Sequence, residues 1–173
     1  MRLNFFYMVA ALFFVALAGS RVYGADRCIG YIYDAIDEGD NRAVVVNLVT
    51  KDIGIRDKRD ARINAAVGVS APYEDCGNEA FFCLAGPLDI VIPKSMPMKK
   101  WEYYGLACKI VGEGRDDVVH VACLSSRPYH TGTSFTYSVS RGVLSFGNSR
   151  VGGVRGGFVL RGQRGLFSPG NNP

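Results

Sequence analysis

The sequence predicts a mostly β protein, a single antiparallel sandwich or barrel-like domain with at most one short helix, preceded by a signal peptide. Three observations predict it. Seven or eight short segments are rich in Val, Ile, Tyr and Phe, and most alternate apolar with polar residues. Clusters of Gly, Asp, Asn and Pro separate them. Only one stretch, residues 51–67, leaves room for a helix.

The leader is set apart first. Arg2 is followed by an uncharged apolar run over residues 5–18, then by small residues, with Val22 and Gly24 before a cut at Ala25. This is the three-part layout of a secretory signal peptide. The run is shorter than the roughly 20 apolar residues that span a bilayer. Ala25-Asp26-Arg27 before Cys28 is too charged for a lipid-attachment site. The expected organisation is residues 1–24 as signal peptide and 25–173 as one β-rich domain, with no stable membrane span after cleavage. A chain of 149 residues is long enough for a core of its own.

Residues 29–35 (IGYIYDA) read as a strand with apolar side chains on both faces. Asp37-Glu38-Gly39-Asp40-Asn41 reads as a turn. Its acids, with Asp34, lack the spacing that points oxygens at one calcium ion. Residues 43–49 (AVVVNLV) are β-branched and form a second strand, paired with the first in a hairpin. Residues 51–62 mix both charge signs, and the apolar spacing leaves a short helix and an exposed loop open. Residues 72–87 read as a looped segment with an aromatic anchor. Residues 88–92 (LDIVI) are a strand stopped by Pro93.

The C-terminal half alternates most clearly. Residues 101–111 (WEYYGLACKIV) read as one strand with Tyr104, Leu106, Cys108 and Ile110 on one face. After a turn, Val119, Val121 and Cys123 share a face. Phe135, Tyr137 and Val139 alternate with Thr136, Ser138 and Ser140. Arg141-Gly142 is expected as a two-residue hairpin loop. That puts Ser140 opposite Val143 and Tyr137 opposite Phe146 on one face, with a longer bulged loop as the fallback. Residues 158–160 and Leu166-Phe167 end the pattern. Arg155-Gly156-Gly157 and Arg161-Gly162 look like fragments of RNA-binding tails, but Phe158-Val159-Leu160 interrupts them, and Gly-rich turns within folded sheet fit better.

Five cysteines in an exported chain predict disulfides. The favoured pairs are Cys108–Cys123, on one face of adjacent strands, and Cys76–Cys83, which close a short loop. Cys28 is then the odd thiol, and its bridging to Cys83 or Cys123 is the alternative. No C-x-x-C occurs, and His120 and His130 are the only histidines, so no metal site is expected.

Charge is unevenly distributed. Residues 25–117 hold twelve basic and sixteen acidic residues, a net −4, and residues 118–173 hold six arginines and no acid. A basic third could meet nucleic acid or anionic lipid. The competing expectation, that folding mixes the two halves, is preferred because consecutive strands pair, so no nucleic-acid partner is expected.

No motif for catalysis emerges. Around Ser145 the glycines are wrongly spaced for a nucleophile elbow. Cys123 and His120 are three apart in a strand and point to opposite faces. Glu74, Asp75, Glu79 and Asp89 surround the Cys76–Cys83 segment and could act as paired carboxylates. Nothing asks for a cofactor. Phe81, Phe82, Trp101 and Tyr103 are the candidate binding surface, for sugar stacking or protein docking; the competing role for Trp101 is core filling.

The expected function is that of an exported small β-rich binding protein without catalytic activity, periplasmic or extracellular. Its partner would be a protein, an envelope polymer or an enzyme that it inhibits. The alternatives are a small extracytoplasmic hydrolase with an acid-based site and a structural envelope subunit.

Overall fold

The computed structural model describes residues 30–63, 70–96, 98–126, 132–147 and 156–170. The predicted leader and Cys28 lie outside them. The described residues form thirteen strands and no helix, so among them no helix is long and apolar enough to cross a membrane.

The first hairpin is as expected. β1 (Gly30–Ala35) pairs antiparallel with β2 (Arg42–Asn47), setting Tyr31 opposite Val46 and Tyr33 opposite Val44. All four side chains are buried. β3 (Asp52–Asp57) then runs back along β2, with Ile53 opposite Val46. This corrects the reading of residues 51–62 as a helix or exposed loop. The dense charges hid the alternation of Ile53 and Ile55, which pack on the core while Asp52 and Asp57 close the ends. β4 (Ser70–Pro72) adds a short edge.

The chain closes on its beginning through its last strand. β13 (Gly157–Leu160) lies between β1 and β12 (Gly142–Gly147), so Phe158 stands opposite Ala35 on one side and Phe146 on the other. Beyond β12 follow β11 (Thr133–Ser138), β10 (Val118–Ser125), β9 (Leu106–Glu113) and β8 (Lys100–Tyr103). The result is one ten-stranded antiparallel sheet ordered β4-β3-β2-β1-β13-β12-β11-β10-β9-β8. β10 to β13, all from the C-terminal third, are thus interior strands of the sheet. Arg161 joins the two charge halves by an ion pair with Asp34 and by hydrogen bonds to the Lys58 and Ala61 carbonyls.

A second sheet has three strands, β5 (Glu74–Asp75), β6 (Phe81–Ala85) and β7 (Ile90–Pro93), in that order. Residues 72–87, expected as loop, supply two of them. Both sheets feed one apolar cluster, which joins Tyr33, Val44, Phe146 and Phe158 to Leu84, Ile90, Val91 and Ile92. Every residue of β7 is buried, and each large aliphatic side chain there contributes roughly 1.5–3 kcal/mol. Side chains of the large sheet bond to β7 and to the turn before it. The Trp101 indole N–H donates to the Val91 carbonyl, and the Thr133 hydroxyl donates to the Leu88 carbonyl. Pro93 ends the strand opposite Phe81, at an edge position that needs no N–H donor.

Two further corrections concern reversals. Residues 101–111 are two strands, not one. Tyr104 and Gly105 both take positive φ (51° and 75°) and turn the chain between β8 and β9, the backbone of a two-residue hairpin loop. Tyrosine is not a residue that advertises such a turn. The β11–β12 register also differs from the expected one. Phe135 faces Phe146 and Tyr137 faces Val143, with an irregularity between Thr136 and Tyr137. The loop comprises residues 139–141, with Gly142 at φ 80°, so the bulged fallback holds and Val139 is exposed in the loop. Tyr137 and Phe146 still share the buried face.

Cys108 stands directly opposite Cys123 and is bonded to it, with Cα atoms 4.0 Å apart. Cys76 is bonded to Cys83 across 4.9 Å between Cα atoms. Such bonds belong to an oxidising environment.

Candidate functional site: an aromatic cleft on the small sheet

Phe81 and Phe82 open β6. Successive side chains of a strand leave on opposite sides, and these two find different partners. The Phe81 ring stacks on Tyr103 of β8, with centroids 4.7 Å apart and planes at 14°. The Phe82 ring stacks on Phe167, at 5.2 Å and 15°. Both rings are only half-buried, and both line a cleft of about 380 Å³. Tyr73, Leu48 and Phe167 add to its apolar lining, and Asp75, Asn78, Glu79 and Lys94 add polar groups.

Local chemistry holds each wall. The Cys76–Cys83 bond ties the start of the loop after β5 to the middle of β6. Within that loop, the Asn78 side-chain oxygen accepts the amides of Ala80 and Phe81, and Asp75 accepts the Gly77 amide. The Tyr103 hydroxyl donates to the Cys76 carbonyl, clamping β8 onto this loop. The opposite wall depends on Tyr33. Its buried hydroxyl donates to the Val143 carbonyl and accepts the Leu166 amide, both at 3.0 Å, which fixes the turn carrying Phe167. Phe167 itself has φ 63°. A bulky residue seldom adopts that region, which costs of order 1–3 kcal/mol and is retained where the surroundings demand it. Here the conformation places an aromatic ring on the cleft.

Lys94 follows β7 directly and carries its ammonium 5.0 Å from the Phe82 ring centroid. The Tyr73 hydroxyl is pushed above the ordinary tyrosine value, first by burial and then by the charges of Asp75 and Asp52.

No family model, curated protein or solved structure matches this chain.

The site therefore rests on geometry. Of the four candidate binding residues, Phe81 and Phe82 line the cleft, and Tyr103 stacks behind Phe81 without lining it. Trp101 is not with them. It is 4% exposed, stands opposite Cys108 and fills the core, its indole N–H satisfied by Val91. The four candidate carboxylates divide between the cleft and structural contacts. Asp75 and Glu79 line the cleft, Glu74 accepts the Tyr104 hydroxyl, and Asp89 is buried in the β6–β7 turn, accepting the Gly86 amide. Asp34 and Asp40 are paired with Arg161 and Arg42 respectively. The sequence reading missed Tyr73, Lys94 and Phe167. Leu166-Phe167 was expected to end the strand pattern. Leu166 is buried, and the neighbouring ring turns outward to the cleft.

Proposed function

We propose that this is an exported, non-catalytic binding protein, periplasmic or extracellular, that engages a partner through the aromatic cleft of its small sheet. The observation that carries this reading is the set of half-buried rings, Phe81, Phe82 and Phe167, that line one cleft, Phe82 stacked on Phe167 and Phe81 backed by Tyr103. Aromatic surface held rigid by a disulfide and by buried hydrogen bonds has little entropy to lose on binding, and binding energy concentrates on such residues. The cleft volume falls at the lower end of ligand-sized sites, which run from roughly 300 to 1,000 Å³. Asp75 and Asn78 on its rim accept backbone amides of the β5–β6 turn, which favours recognition over acid–base chemistry.

Affinity capture from the exporting cell's envelope extract tests this. The native protein should retain a partner that the Phe82→Ala/Phe167→Ala variant loses. A Val159→Ser variant, altered at an exposed residue of β13, should keep it. Equal capture by all three proteins would contradict a cleft-based function.

A further inference from the structure

We propose that the cleft receives a cationic side chain, the ammonium of a lysine or the guanidinium of an arginine on a partner polypeptide. This rests on the reading of the cleft as the binding site and names the chemistry of its occupant.

The lining supplies ring faces that carry negative quadrupole charge, and a cation within about 6 Å of a ring centroid is attracted to them. The protein already places one there. Lys94 sits 5.0 Å from the Phe82 centroid, while Phe167 covers that ring in a parallel stack. The rim adds charge of the matching sign, because Asp75 and Glu79 face a single lysine, an excess of one negative charge. The same field reaches inward, where Asp75 and Asp52 add to burial in raising the Tyr73 hydroxyl above its ordinary value. An anionic ligand would meet repulsion from both carboxylates. A neutral sugar ring would gain from the aromatic faces and nothing from the charge.

Lys94 is then an internal competitor. Its side chain is exposed, so an incoming cation that displaces it from the Phe82 face leaves its ammonium in water.

Backbone amide NMR of the disulfide-bonded protein tests the assignment. The probes are acetyl-Gly-Lys-Gly-amide, acetyl-Gly-Arg-Gly-amide, the Nε-acetylated lysine peptide and cellohexaose. The two cationic peptides should shift the amides of residues 75–84 and 166–167 saturably, and the acetylated peptide should not. Lys94→Met should tighten cationic binding about two- to fivefold, and Glu79→Gln should weaken it by a similar factor. Equal shifts from the charged and acetylated peptides, or shifts from cellohexaose alone, would overturn the cationic assignment while leaving the cleft as a binding site. Cationic binding unaltered or weakened in Lys94→Met would overturn it too. If no probe shifts these amides the cationic assignment fails, and partner capture lost in the Phe82→Ala/Phe167→Ala variant would still uphold the cleft.

Discussion

Single side chains decide how the β11–β12 loop is held. Ser140 hydrogen bonds, side chain first and then amide, keep the Asp117 carboxyl below its ordinary value, and the Ser138 hydroxyl adds to them. Such a group stabilises the fold above its unfolded value of about 3.9, and that contribution is lost as pH falls through the lower folded value. Asp117→Asn should therefore cost about 1 kcal/mol at pH 7, and the gap to the native protein should close in acid, as denaturant titrations at several pH values would show. Gly142 is the second such position. At φ 80° an added Cβ would run into the Leu166 carbonyl and stand 2.7 Å from that of Gly165. Gly142→Ala should lose at least about 2 kcal/mol in thermal or denaturant unfolding. The Arg141 Nε–H of the same loop donates to the Gln163 carbonyl, so Arg141→Asn should cost about 0.5–1 kcal/mol in the same measurement. Glycine marked this reversal in the sequence. The turn at Tyr104 and the outward ring of Phe167 were not marked, because both are non-glycine residues held at positive φ by their surroundings.

At the scale of elements, the strands legible in advance were those with alternation or an unbroken β-branched run. β1 buries Tyr31, Tyr33 and Ala35, β10 buries Val121 and Cys123 and β11 buries Phe135 and Tyr137, each at every second position, whereas β2 buries the continuous run Ala43–Val46. β3 and β5 were hidden because short strands studded with charge look like loops until a partner strand is known. Both cysteine pairs were legible for a physical reason. Cys108 and Cys123 sit on facing strands, and Cys76 and Cys83 are seven residues apart. The two bonds should differ in what they support. By loop length alone, removing Cys108–Cys123 should cost about 3 kcal/mol and Cys76–Cys83 about 2.5 kcal/mol. Double alanine variants compared by thermal unfolding check this. The Cys76→Ala/Cys83→Ala protein should also lose partner capture, because that bond shapes the cleft wall.

For the whole molecule, the consequence of the topology is that the two ends of the described chain meet in mid-sheet. β13 separates β1 from β12, so a fragment ending at Gly147 would lose the strand that joins the two halves, together with the buried Phe158 and Leu166. Such a fragment should show no cooperative unfolding transition, and a stable, cooperative one would contradict the strand order. That order was not legible in the sequence, since adjacency of distant strands leaves no local signal. The same closure builds the cleft, because the turn after β13 carries Phe167 to the small sheet, far from Phe82 in the chain. The cleft as the binding surface is the central claim, and site-specific photocrosslinking in the cell that makes the protein tests it most directly. With p-benzoylphenylalanine in place of Phe82, a discrete partner adduct is predicted, and none with the same probe in place of Val159. An adduct from position 159 and none from position 82 would contradict the account.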